Sequence, residues 1–135
     1  MAVTIESCAP GERVKEFIDV GHRLMKDVPN YVAPLRMEQA DRMTPGKNPF
    51  WQHAEGRFFF ARKNGELVGR ASAHIDREHL RRYDDACGFF GFFDTIDDQE
   101  VAHALLDACK EWLRGRDMKR IRGPVSFSIN EEMGV

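Results

Sequence analysis

Apolar and polar residues alternate along Val3–Ser7 (VTIES), the pattern of a half-buried edge strand. From Pro10 to about Lys26 the period turns helical. Val14, Phe17, Ile18, Gly21, Leu24 and Met25 fall on one stripe, with Pro10 suited to the first turn. Asp27-Val28-Pro29-Asn30 breaks this helix, and Pro34–Met43 predicts a second, shorter one that Thr44-Pro45-Gly46 ends. A loop, Lys47-Asn48-Pro49-Phe50-Trp51, closes on two large apolar residues. Arg57–Lys63 and Glu66–Ile75 then flank Asn64-Gly65, the strongest short hairpin signal, because both central residues of a type I′ turn need positive φ. The polar run Asp76–Asp85 reads as a loop. Gly88–Thr95 is an aromatic-rich strand that runs straight into a helix over about Asp98–Arg114. Asp97 with Glu100 three residues later resembles a capping box. Val101, Ala104, Leu105, Ala108 and Trp112 make the buried stripe, and Gly115 is the expected stop. Arg120–Ser126 reads as a further strand, and Asn130–Val135 begins another element. The order β-α-α-β-β-β-α-β predicts an α+β domain, a mixed sheet flanked by helices, with residues 1–135 forming a single domain.

Composition narrows the function classes. The chain has 135 residues, 42% hydrophobic and 31% charged, so it can bury a core and is not a disordered segment. A formal net charge of −2 leaves no general field for nucleic acid or anionic lipid. No apolar run approaches the length of a membrane span and no signal-peptide pattern opens the chain, so the expected compartment is the cytoplasm. Cys8, Cys87 and Cys109 are too far apart for a Cys-x-x-Cys site and read as free thiols of a reducing compartment. His22, His74, His79 and His103 show no metal-ligand spacing, so no metal is expected. Arg77, Arg81 and Arg82 form one basic cluster. Lys110, Arg114, Arg116, Lys119, Arg120 and Arg122 form another. Without stacking platforms both read as solvated faces. No P-loop, Gly-x-Ser-x-Gly, His-Glu-x-x-His or dinucleotide fingerprint occurs.

The strand-to-helix junction carries the most chemistry. A helix N-terminus presents unpaired N–H groups and partial positive charge, which suits an anion. Here the junction reads Asp94-Thr95-Ile96-Asp97-Asp98-Gln99-Glu100, four carboxylates and no glycine. Two like charges about 5 Å apart repel by roughly 3 kcal/mol at an effective dielectric of ~20. Phe89, Phe90, Phe92 and Phe93, interrupted by Gly91, read first as core, and as ligand-facing only if Gly91 marks a bulge.

Several stretches resemble a group of bacterial proteins of the GNAT N-acetyltransferase superfamily. They are Val28-Pro29-Asn30-Tyr31-Val32, Lys47–Trp51, Gly65–Arg70, Gly88–Phe93, Gly123-Pro124 and Asn130–Gly134. Together they extend from about Val14 to Gly134. The resemblance implies a GNAT-like mixed sheet, acetyl-CoA held where two parallel strands part, and acyl transfer to an amine. It also implies a pyrophosphate loop of the form Arg/Gln-x-x-Gly-x-Gly/Ala, whose glycines and leading residue the junction here lacks. On the resemblance, Phe92, Phe93, Asp94, Thr95, Ile96 and Val101 face the cofactor, and Tyr31, Trp51 and His53 face the acceptor. A histidine, Glu131 or Glu132 could serve as base, and the sequence selects none.

Relative to that fold the chain stops before the last helix and strands, which makes it the expected N-terminal portion of a longer protein. The expected partners are a small-molecule substrate or the second half of that protein, with no nucleic acid and no membrane. The alternative is a non-catalytic GNAT-like module that binds a ligand or a partner through a degenerate cofactor site. An inactive truncated product is a third reading.

Overall fold

The computed structural model describes residues 3–26, 40–41, 43–83, 85–126 and 132–133. Strands β1 (Thr4–Cys8), β2 (Ala54–Lys63), β3 (Glu66–Asp76), β4 (Cys87–Thr95) and β5 (Arg120–Arg122) form one sheet in that order. All neighbours are antiparallel except β4 and β5, which are parallel. Helices α1 (Val14–Met25), α2 (Arg77–Tyr83) and α3 (Gln99–Arg114) and a short 3-10 turn (Pro49–Gln52) complete the layers. A separate antiparallel pair, β6 (Val125–Ser126) with β7 (Glu132–Met133), follows β5. This is the α+β mixed sheet flanked by helices that the residue pattern implies.

Both faces of the central strands are covered, which explains the Phe58-Phe59-Phe60 run. Successive strand residues point to opposite faces. Phe58 and Phe60 therefore join Phe17, Ile18 and Val20 under α1, while Phe59 and Ala61 join Val101, Leu105, Cys109 and Leu113 under α3. Close approach of α3 depends on Gly69, where a Cβ would stand 2.8 Å from Leu105 Cδ1.

The hairpin matches its sequence signal. Asn64 (φ 55°) and Gly65 (φ 80°) both occupy the left-handed region between β2 and β3. Nothing lies within 4 Å of a Cβ added at Gly65. Gly65→Ala should therefore cost only backbone strain, about 1–2 kcal/mol. Urea unfolding is expected to show a lower midpoint with an unchanged slope. An unshifted midpoint would contradict the turn assignment.

Four boundaries differ from the sequence reading. Helix α1 begins at Val14 rather than Pro10, because Gly11 (φ 90°) and Arg13 (φ 48°) are left-handed. Residues Arg77–Tyr83 form α2 rather than a loop, with the Asp76 carboxylate accepting from the Glu78 N–H in its first turn (3.0 Å). The cap of α3 is Asp98 rather than Asp97, and its side chain accepts from the Glu100 N–H (2.9 Å). The strand expected over Arg120–Ser126 breaks at the cis Gly123-Pro124 bond into β5 and β6. Gly115 does end α3, in a right-handed conformation, and the left-handed residue is Asp117 (φ 68°). The helix expected over Pro34–Met43 lies largely outside the described residues. Among the described residues no helix is long and apolar enough to cross a membrane.

Candidate functional site

The parallel neighbours β4 and β5 stay together only briefly. Their ladder comprises Cys87↔Arg120, Gly88↔Ile121 and Phe89↔Arg122. Beyond it β4 continues to Thr95, while the other chain turns away at Gly123-Pro124 to pair with β7. The β4–β5 ladder thus ends at Phe89, and from Phe90 onward the edge of β4 is followed by β6, which stays close to it without pairing to it. Contact at the branch point is tight: a Cβ on Gly123 would lie 2.4 Å from the Phe90 carbonyl oxygen.

On its other edge, against β3, strand β4 carries a bulge. Arg70 opposes Asp94 and Ser72 opposes Gly91, so Phe92 and Phe93 together face Ala71 of β3. Phe92 takes φ 46° there. The bulge falls one residue after Gly91, the position the sequence marked. A phenylalanine in that conformation is strained, and surrounding contacts must hold it. The Phe92 ring meets Phe17 edge-on at 6.0 Å, with the Arg70 guanidinium over its face at 5.4 Å.

Arg70 organises the region from β3. Its side chain is 7% exposed, and Nε donates to Asp94 Oδ2 (2.9 Å) while Nη1 donates to the Phe17 carbonyl (2.9 Å). Gly21 on α1 makes room for it, since a Cβ there would lie 2.2 Å from Arg70 Cζ. Arg70 begins a buried polar row on one face of β3. Ser72 and His74 continue it, with His74 between the rings of Phe50 (5.6 Å) and Phe89 (5.5 Å). The Ser72 hydroxyl has no hydrogen-bond partner among the described residues.

The helix end after β4 is less negative than its sequence. Asp94 is paired with Arg70, and Asp98 Oδ2 accepts from Lys63 Nζ at 2.7 Å, with Glu100 3.9 Å from the same ammonium. That hydrogen bond holds the Asp98 carboxyl below the usual carboxylate range and raises Lys63. Asp97 is exposed. Capping nonetheless uses one of the N–H donors that an anion would need.

The expected cofactor residues are contiguous at this fork, though not equivalent. Phe92 is buried beneath α1, and Phe93 packs edge-on against Phe90 (5.8 Å). Thr95 ends the ladder opposite Gly69. Ile96 is 37% exposed, and its N–H donates to the Val68 carbonyl (3.0 Å). Val101, in the first turn of α3, has a fully buried side chain, and its backbone N–H serves the Asp98 carboxylate.

Of the expected acceptor residues, Tyr31 lies outside the described residues. Trp51 leans on Gly56, where a Cβ would be 2.9 Å from its ring, and meets Phe50 at 5.2 Å. His53 Nδ1 is 2.8 Å from Asp76 Oδ1. These contacts fix both side chains. Of the expected bases, Glu131 lies outside the described residues and Glu132 falls in β7.

Lys63 and Arg70 escaped the sequence reading. The signals were present: Lys63 ends the strand just before the hairpin turn, and Arg70 is the one lysine or arginine of β3. The basic clusters behave as surface. Arg116 bonds Glu55 (3.2 Å) and covers Trp112 (4.6 Å), and Arg77 lies 3.8 Å from Glu55. An open groove of about 490 Å³ runs along α1 between Glu16, Asp19, His22, Arg23 and Leu67, and none of the expected site residues lines it.

Comparison with known proteins places this geometry in a family. The family model described as Acetyltransferase (GNAT) family matches residues 29–131. A protein of Caulobacter vibrioides (strain NA1000 / CB15N) named bacterial ceramide synthase is 41% identical over 123 residues, covering 90% of this chain and 32% of its own length. The chain therefore spans about a third of that relative. An aminoglycoside acetyltransferase from an uncultured soil metagenomic sample, solved with sisomicin, superposes with a TM-score of 0.63 at 14% identity, over 92% of this chain and 78% of the other. A predicted acetyltransferase of Clostridium acetobutylicum, solved with acetyl-CoA, gives 0.59 at 12% identity, over 92% and 81%. At such identities the two structures establish the fold alone.

Proposed function

This chain belongs to the acetyltransferase (GNAT) family, and from that premise we propose that it is part of an acyl-CoA-dependent N-acyltransferase. The observation that carries the reading is the end of β4–β5 pairing after Phe89, beside the Phe92 bulge. A thioester lying beyond the end of that ladder would align with the edge of β4. Backbone N–H groups along that edge would meet the carbonyl oxygen as negative charge develops on it. A neutral amine attacks the thioester carbon, a C–N bond forms, and the C–S pair leaves with sulfur. One amine proton then goes to the thiolate, so the products are an amide and free CoA thiol.

For the acceptor, the relative named bacterial ceramide synthase supports a lipid class. A ceramide is the N-acyl amide of a long-chain amino alcohol, so the proposed reaction joins a fatty acyl group to such an amine. The family uses acetyl-CoA, and for this chain the proposed donor is a long-chain acyl-CoA. Calorimetry at low salt with acetyl-CoA and a long-chain acyl-CoA tests both. Binding of each, tighter for the long chain, is expected. No heat and no thermal shift at millimolar concentration would overturn the enzyme reading and favour the ligand- or partner-binding module.

Asp98→Asn probes the helix end separately. Asparagine caps as well as aspartate, so the helix start should survive. Loss of the charge also releases Lys63 toward an incoming pyrophosphate. CoA affinity should rise about tenfold, the size of a partly screened charge contact, and the gain should shrink as salt is added. Unchanged affinity would place the pyrophosphate elsewhere.

A further inference from the structure

Beyond the fork, at the other end of β4, three metal-ligand side chains of different chemistry converge. His79 lies on α2, Asp85 in the connection that follows, and Cys87 at the first position of β4. One ligand atom from each lies within 4.8 Å of the others. We propose that His79, Asp85 and Cys87 form a binding site for a divalent transition metal of the zinc class.

The geometry already resembles a partly assembled site. His79 Nε2 stands 3.0 and 3.1 Å from the two Asp85 oxygens. Two donors bonded at about 2.0–2.1 Å to one tetrahedral ion lie roughly 3.3 Å apart, so the imidazole and carboxylate hardly need to move. The thiol has to close in by about an ångström to reach the same centre. An imidazole nitrogen, a carboxylate oxygen and a sulfur form a borderline-soft set, suited to zinc or cobalt rather than magnesium or calcium.

The surroundings hold the donors in place. The His79 side chain is 15% exposed and that of Asp85 20%, which leaves an approach for an ion and for one water as fourth ligand. The His79 ring lies 4.8 Å from Tyr83 and edge-on to Phe89 at 5.0 Å. Asp85 Oδ1 also accepts from the Cys87 N–H (3.2 Å), tying the carboxylate to the backbone of the third ligand. Such outer contacts orient ligands in metal sites.

A Cys-His-Asp nucleophile is the competing use of these residues, and the geometry disfavours it. Cys87 is 1% exposed, and its thiol donates to the Gly88 carbonyl (3.4 Å). Burial also raises that thiol, with Asp85 adding to the effect and Arg122 and Arg120 of β5 opposing it. A metal changes the balance: the S–H bond breaks, the proton leaves to solvent, and sulfur's pair forms the metal bond. The carboxylate and thiolate then neutralise the doubly charged ion.

The site would clip the α2–β4 connection to the start of the strand that leads into the fork. It lies several strand residues from Phe92, so its role is structural, and it does not depend on the acyltransferase reading.

The test is titration of the reduced, metal-free chain with Co²⁺, followed by competition with Zn²⁺. A thiolate-to-cobalt charge-transfer band that saturates at one ion per chain is expected, together with a rise in melting temperature. Cys87→Ser should abolish the band, Asp85→Asn should weaken binding at least tenfold, and Cys109→Ser should leave both unchanged. No band and no thermal shift in the unmutated chain would overturn the proposal without relying on any variant. A band that survives Cys87→Ser would also overturn it.

Discussion

Arg70→Ala is expected to cost about 3 kcal/mol of stability, the lower part of the range for breaking a buried ion pair. Arg70 is almost fully enclosed, whereas the Asp94 side chain is 17% exposed, so water can partly rescue the abandoned carboxylate. The same substitution removes the donor to the Phe17 carbonyl and the cation over the Phe17 and Phe92 rings. Arg70→Met paired with Asp94→Asn should recover most of the loss, because it removes both charges and retains side-chain volume. Gly21→Ala offers an independent route to the same break. Its Cβ would occupy the guanidinium position, so combining it with Arg70→Met should cost less than the sum of the two. Urea unfolding of the five variants measures all of this. An Arg70→Ala loss under about 1 kcal/mol, typical of an exposed pair, would show that Arg70 does not support the bulge.

The sheet was legible because its strongest signals are local. Asn64-Gly65 sets the hairpin by backbone conformation, and the apolar stripe from Val101 to Trp112 sets α3 by period. Errors arose where local chemistry pointed elsewhere. Arg77–Tyr83 is rich in charge, which reads as loop, yet charge is compatible with a helix that buries no residue of its own. Asp97 fits the three-residue spacing to Glu100, yet it is Asp98 that takes the extended conformation before the first turn and accepts from the Glu100 N–H.

The candidate site was legible as a place and not as an electrostatic environment. Arg70, Ser72 and His74 alternate with small apolar residues, which usually marks a half-exposed strand. Only the packing of α1 over β3 turns that row inward. Three of the four carboxylates of Asp94–Glu100 look uncompensated in the sequence because their partners, Lys63 and Arg70, come from β2 and β3. Long-range pairing of this kind has no periodicity and no local spacing. The Phe92 bulge likewise depends on the register with β3, and the residue that betrayed it, Gly91, sits one position away.

Phe17→Ala should be the most damaging single truncation, at about 3–5 kcal/mol. Phe17 is fully buried, stacked on Phe58 at 4.7 Å and edge-on to Phe60 at 5.7 Å and Phe92 at 6.0 Å. Small domains hold only about 5–15 kcal/mol in all, so the variant should unfold at markedly lower urea. Phe17→Leu separates the two roles of the ring. It keeps most of the volume but loses the face under Arg70, 4.8 Å away, and should cost nearer 1–2 kcal/mol. If α1 steadies the Phe92 bulge through this ring, the folded leucine variant should still bind acyl-CoA more weakly than the unmutated chain. Equal affinity at full folding would mean that Phe17 serves the core alone and that the bulge is held from β3, by Arg70.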